Sequence, residues 1–245
     1  MVWLGAIGGG AFVVAAVVIG WRLIWLSRRT RGLPEFAIGT GLFLMGGLGY
    51  PLIVLARQMT AWPDAARAGL ILANEIFAIV GMTLVAVFNW RVFRPNAPWA
   101  KALVGAIAAT LTGLMVAQGC AGGWLALADG ANFPWAWAAV PNAVALGWAG
   151  LESLGYHRTM VKRARLGLAD AALVDRFRLW AIGTFSSAFL TLASLSGQIR
   201  GIDMATSTEG ALLVGAFGVV SAGAMWLAFL PPAAYTRWVA RAREV

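Results

Sequence analysis

Apolar runs about twenty residues long recur along the chain, and a helix of that length crosses the roughly 30 Å hydrocarbon core of a bilayer. Arginine, tryptophan or a short polar loop closes each run. The pattern predicts seven membrane helices, at approximately 3–26, 35–56, 68–92, 101–124, 133–156, 177–199 and 210–232. The expected fold is an all-α membrane protein, a seven-transmembrane-helix bundle forming one domain over residues 1–245. The first run begins Met1-Val-Trp-Leu-Gly-Ala and holds its arginines at its far end, the reverse of a cleaved signal, so it reads as the first span. No linker or compositional shift marks a soluble output domain.

Breaks in the pattern predict local departures from regular helix. Gly46, Gly47, Gly49, Tyr50 and Pro51 should bend or open the second helix, because proline cannot donate its backbone bond and crowds the turn before it. Pro141 should do the same in the fifth. Carbonyls freed by such breaks must be satisfied inside the protein, which often places the break at a cavity; a purely structural kink is the other reading. Small residues four apart, Gly5 with Gly9, Gly119 with Gly123 and Ala211 with Gly215, predict close helix crossings. Asp170 is placed to cap a helix that runs into the sixth span.

Charge then orients the segments. Arg22, Arg28, Arg29, Arg31, Arg91, Arg94, Lys101, Arg158, Lys162, Arg163, Arg165, Arg176, Arg178, Arg237, Arg241 and Arg243 fall on one side, and only Arg57, Arg67 and Arg200 on the other. Since basic residues are retained in the cytoplasm, the N-terminus is expected outside and the C-terminus inside. Trp3, Trp21, Trp25, Trp62, Trp90, Trp99, Trp124, Trp135, Trp180 and Trp238 lie near expected interfaces, where an indole anchors well. With 60% hydrophobic and 12% charged residues, the net charge of +9 reads as a topology signal and not as a nucleic-acid surface. Abundant Ala, Gly, Trp and Arg beside only Lys101 and Lys162 suggest a GC-rich bacterium, hence a multi-pass protein of the bacterial inner membrane.

Polar residues inside the spans are the candidate chemistry. Glu35, Asp64, Asp129, Asp170, Asp175, Asp203, Glu209 and Glu244 sit in loops or at helix ends, but Glu75 lies about two turns, or roughly 10 Å, inside the third helix. A charge there costs about 2.5 kcal/mol or more, which makes the carboxyl a functional candidate; the competing reading is a neutral or hydrogen-bonded packing group. Tyr50, Asn74, Gln118, Asn142, Thr191, Ser194 and Gln198 fall in the same outer layer and could line one water-accessible pocket around Glu75. Thr191 and Ser194 are its weaker members, because hydroxyls often bond their own helix. On the inner side, Glu152 beside the fifth-helix end reads first as the partner of an arginine, and the basic run Lys162, Arg163 and Arg165 as a contact for anionic lipid or an acidic cytoplasmic protein.

Several chemistries are disfavoured. His157 is the only histidine and Cys120 the only cysteine, so no histidine metal set, Ser-His-Asp triad or intrachain disulfide can be built. No phosphate loop, HExxH or GxSxG is present, and an enzyme is not expected. Retinal, and any other cofactor, is not expected: the seventh helix has no lysine for a Schiff base. Lys162 to Asp170, Asp175 to Trp180 and Trp90 to Pro95 resemble segments of uncharacterised bacterial seven-helix integral membrane proteins, a resemblance that covers a small part of the chain and implies no activity. The expected function is a seven-helix sensor or small-ligand-binding protein with an outward polar pocket, signalling through its basic cytoplasmic loops. A proton- or ion-coupled transporter or channel using Glu75 is the alternative. The lipid bilayer is the expected environment, homo-oligomers are compatible with it, and nucleic acid is not an expected partner.

Overall fold

Away from water a backbone is cheapest when each segment closes its own hydrogen bonds, and the described residues are all-helical. The computed structural model describes residues 2–121, 123–125, 134–202 and 207–241. Asp129, Asp203, Arg243, Glu244 and the start of the expected fifth span lie outside them. The helices are α1 (Val2–Thr30), α2 (Leu33–Leu42), α3 (Tyr50–Gln58), α4 (Asp64–Phe93), α5 (Pro98–Ala121), α6 (Ala139–Arg165), α7 (Ala171–Ile199), α8 (Thr208–Phe229) and α9 (Ala233–Arg241). Among the described residues six helical segments are long and apolar enough to cross a membrane: Gly5–Thr30, Leu33–Gln58, Asp64–Phe93, Pro98–Ala121, Ala172–Ile199 and Thr208–Phe229. The remaining expected span, α6, has the length, but Asn142, Glu152, Ser153 and its basic end dilute its apolar character. Its small face, including Ala145, Ala149 and Gly150, is nonetheless buried.

Helix neighbours form a closed ring. α1 packs on α2, α2 on α4, α4 on α6, α6 on α7, α7 on α8, and α8 returns to α1. α5 lies outside this ring against α4 and α6. The closing contact is made by small residues: a side-chain carbon on Gly8 would lie 2.7 Å from the Gly215 Cα, and one on Gly5 would lie 3.5 Å from the Ala211 Cα. Gly5, Ala211 and Gly215 were expected at helix crossings, and one interface uses all three. Gly119 is different, facing Trp124 rather than another helix.

The expected opening of the second helix is a π-helix. Between α2 and α3, residues Phe43–Gly49 widen to one extra residue per turn, ending with the Tyr50 N–H bonded to the Met45 carbonyl. Pro51 then occupies the first turn of α3. The widened turn relieves the clash that proline would make with a regular helix, and the bare face at Gly46 lets it sit directly on Phe12 and Ala16 of α1. Pro141 behaves otherwise. A short 3-10 turn, Trp135–Ala138, precedes α6, so Pro141 falls in the first helical turn, where no intrahelical partner awaits its missing N–H, and it makes no mid-helix kink.

The basic end is clamped by polar contacts. Glu152 accepts from Arg94 Nε at 2.7 Å and from Trp148 Nε1 at 3.2 Å, tying the end of α4 to α6. His157 donates from Nδ1 to the Val174 carbonyl at 2.9 Å. The Tyr235 hydroxyl bonds Asp175, which also pairs with Arg178 at 2.5 Å, so α9 is docked on the start of α7. Burial first, and then the bond to Asp175, raise the Tyr235 phenol above its ordinary value and keep it a donor. Asp170 caps α7 as expected, accepting from the Ala172 N–H at 3.2 Å. Because α7 therefore starts early, Trp180 lies in its third turn and is only 5% exposed, packed edge-on against Phe88 and Phe229. It is a core residue and not the interface anchor its position suggested, whereas Trp3, Trp21, Trp25, Trp62, Trp99 and Trp238 are exposed.

Candidate functional site

The interior of the six-helix ring holds a cavity of about 280 Å³. Every ring helix contributes to its wall and α5 does not: Gly8, Gly9 and Phe12 come from α1, Leu42, Met45 and Tyr50 from the broken second span, and Asn74, Ala78, Met82 and Val85 from α4. Asn142 and Leu146 stand on α6, Trp180, Thr184, Ser187, Leu190 and Thr191 on α7, and Val214, Phe217, Gly218, Ser221 and Met225 on α8. Helical spacing explains each set, since residues three or four apart share a face. Positions 74, 78, 82 and 85 form one such stripe, and 180, 184, 187 and 191 another. The π-helix aims Met45 and Tyr50 inward on either side of its glycines.

Of the residues expected in an outer pocket, Tyr50, Asn74, Asn142 and Thr191 line this cavity; Glu75, Gln118, Ser194 and Gln198 do not. Glu75 follows Asn74 by one residue, which turns it about 100° around α4 onto the stripe of Ile71. That stripe packs outside the ring interior, where Ile71 and Ala56 meet Trp124 and Trp135. Glu75 is 3% exposed; its Oε1 accepts from Asn74 Nδ2 at 3.0 Å, and its Oε2 has no hydrogen-bond partner. The carboxyl thus reaches the cavity only through the amide it holds. Gln118, on α5, is fully buried and bonds backbone instead: Nε2 donates to the Gly123 carbonyl at 3.3 Å, and Oε1 accepts from the Trp135 N–H at 3.1 Å.

Most hydroxyls in the wall are already satisfied. Ser187 and Ser221 share a hydrogen bond of 2.8 Å, Ser221 also donates to the Gly183 carbonyl, and Thr184 and Thr191 donate to carbonyls one turn back on α7. Two buried polar atoms of the wall have no partner, Asn142 Oδ1 and Trp180 Nε1. No lining residue is charged. Among the described residues no group of three His, Cys, Asp or Glu side chains could hold a metal ion. Thr184, Ser187, Ser221 and Trp180 escaped the reading of the sequence. The spacing of polar positions along α7 was the available signal, and counting depth alone, without helical phase, concealed it.

The six long apolar helices have the build of a multi-pass, all-helical membrane protein, and the helix ring holds a cavity. No protein-family model, curated protein or solved structure matches the chain.

Proposed function

We propose that the chain is a seven-span protein of the bacterial cell membrane, N-terminus outside and C-terminus cytoplasmic, that binds a small ligand in the ring interior and acts as a sensor or binding protein. The single observation that carries the reading is the cavity bounded by six helices, one of them widened to a π-helix at the wall. Such a cavity is the usual form of a small-molecule site, and π turns recur at functional positions. α6 is part of that wall, and its packing along α4 and α7 supports a seventh span despite its polar residues. A ligand with different affinity for two packings of the ring would shift α6 and α7, and the basic connection with Lys162, Arg163 and Arg165 would pass that shift to anionic lipid or an acidic partner. Glu75 lies off the cavity, which favours binding over proton-coupled transport; its role in this reading is to hold Asn74.

Ala78 stands on the α4 stripe of the wall, so Ala78→Phe tests the reading. Thermal unfolding in nanodiscs against neutral lipophilic compounds, amino acids, sugars and ions should show a stabilising compound for wild type, because a ligand bound only by the folded state raises its stability. Ala78→Phe should unfold no lower than wild type and lose the shift. A shift that persists in the filled variant, or steady Glu75-dependent uptake of the compound into vesicles, would overturn the reading.

Topology has its own test. In a Cys120→Ser background, Thr60→Cys, between α3 and α4, should react with a membrane-impermeant maleimide added to intact cells, and Leu166→Cys, after α6, only after lysis. The reverse pattern would invert the orientation.

A further inference from the structure

The ring cavity has a polar end and an apolar end. A Cβ on Gly9 would lie 2.7 Å from the Tyr50 hydroxyl and one on Gly49 3.2 Å from Asn74 Oδ1, so both polar groups stand at the level of these bare helix faces. Thr191 joins them from α7: Gly8 abuts Gly215 and Gly218 of α8, and the Phe189 ring lies 4.7 Å from that of Phe217. Leu42, Met45, Met82, Val85 and Met225 line the cavity further along their helices and are apolar. Asn142 belongs with them, because α4 and α6 run parallel with Asn89 on the Ala145 carbonyl and Arg94 on Glu152.

The polar end offers mainly acceptors. Thr191 Oγ1 spends its proton on the Ser187 carbonyl at 2.8 Å. Ser221 spends its own on the Gly183 carbonyl, so Ser187 must donate the 2.8 Å bond that the two serines share. Both Thr191 Oγ1 and Ser187 Oγ therefore keep lone pairs only. Glu75 Oε1 holds Asn74 Nδ2, which fixes the amide and leaves Oδ1 on its other side, without a partner among the described residues. Asn74, Ser187 and Thr191 are partly exposed lining residues, whereas Trp180 Nε1 and Asn142 Oδ1 have no accessible surface to offer a ligand. The Tyr50 hydroxyl and the second Asn74 N–H are the donors that remain at this end.

We infer that the ring cavity takes a primary ammonium compound with an apolar body, its head donating to Asn74 Oδ1 and Thr191 Oγ1 and its body lying toward the methionines. The inference rests on the cavity being a binding site and deepens that reading by naming the ligand chemistry. An ammonium brings three donors and no acceptor, which an alcohol does not. No basic residue lines the cavity to repel it, and Phe12, Tyr50 and Phe217 are aromatic rings of the kind that attract a cation out of water. Glu75 stands behind the Asn74 amide as the acidic group and as the residue that positions it. A cavity of about 150 Å³ holds benzene, so about 280 Å³ admits a ring with a short arm and a head.

The probes are 2-phenylethylammonium, 2-phenylethanol, phenylacetate and ethylbenzene, which share a ring and a short arm and differ in the head. Equilibrium dialysis at neutral pH of the full-length protein in nanodiscs of zwitterionic lipid, with empty discs subtracted, should give the ammonium about tenfold tighter than the alcohol, because charge-assisted hydrogen bonds are about twice as strong. Phenylacetate should not bind above the empty discs. Thr191→Val and Asn74→Leu should each cut the preference for the ammonium several-fold while ethylbenzene still binds, which reports an intact cavity. Glu75→Gln should do the same, since a glutamine can donate to the Asn74 oxygen and free the amide to turn; a group that only packed would change stability and leave the preference alone. Equal affinity for ammonium and alcohol in wild type, or tighter binding of phenylacetate, would overturn the inference and leave the cavity a binding site. A preference unchanged in Thr191→Val and Asn74→Leu would also overturn it, because the head would then be read elsewhere. No binding of any probe would overturn it and count against the binding reading itself.

Discussion

Gly8→Leu is expected to prevent recovery of folded protein, or to lower its unfolding temperature by about 10 °C, whereas Gly10→Leu, two residues away, should leave it nearly unchanged. A Cβ at Gly8 would lie 2.7 Å from both the Gly215 Cα and the Val214 carbonyl oxygen. These are backbone atoms of α8, so no rotamer change can clear them and the two helices must separate. Separation breaks the one contact through which α8 returns to α1 and closes the ring. Overpacking of this kind costs about 1–3 kcal/mol where side chains can yield, and more where backbone faces backbone. Gly10 has nothing within 4 Å of a Cβ, and a leucine there meets only the surroundings of the bundle. Thermal unfolding and size-exclusion profiles of the two variants in one detergent decide the matter. Equal stability would mean that α1 and α8 do not cross at these glycines.

Gly8 also shows where reading the sequence succeeded and where it stopped. Apolar length located the long apolar helices, because buried or lipid-facing backbone of that composition has only the helical solution, but not α9, which is short and polar. Gly5, Ala211 and Gly215 were legible as crossing points from spacing alone. What composition cannot supply is which helix each face meets: Gly119 has the same spacing and faces only an indole. The same gap explains the candidate site. Depth along the helices grouped Tyr50, Asn74, Asn142 and Thr191, which line one cavity, but depth does not distinguish the 74 stripe of α4 from the 75 stripe. It therefore put Glu75 at the centre of a pocket that Asn74 lines. Trp180 was misread for a related reason. Its distance from the helix start depended on Asp170 beginning α7 well before the apolar run does. Glu152 was expected to pair with an arginine, since an acid at a basic interface has few other uses; the partner is Arg94 at the end of α4, which the sequence did not single out.

Gln118 was grouped with the pocket by its position along α5, but its neighbours are the connection to α6, and its replacement by methionine separates the two. Methionine keeps the length and packs well in irregular gaps, so Gln118→Met removes the polar groups with little change of volume. In wild type the amide bonds both ends of the connection that leads from α5 to α6, accepting from the Trp135 N–H and donating to the Gly123 carbonyl. The first of these is a donor at the start of the 3-10 turn that no helical carbonyl can satisfy. Without Gln118, leaving such groups unpaired costs about 1–3 kcal/mol each. The expected result is a loss of about 2–4 kcal/mol, read as a fall of about 5–15 °C in unfolding temperature. Any compound that stabilises wild type through the ring cavity should stabilise Gln118→Met by the same increment, because α5 lies outside the ring and contributes nothing to the cavity wall. Unchanged stability with a lost ligand shift would return Gln118 to the pocket and require α5 to reach the ring interior. A lower unfolding temperature with the shift retained would make this glutamine a clasp between α5 and the turn that starts α6, and would leave recognition to the six helices that enclose the cavity.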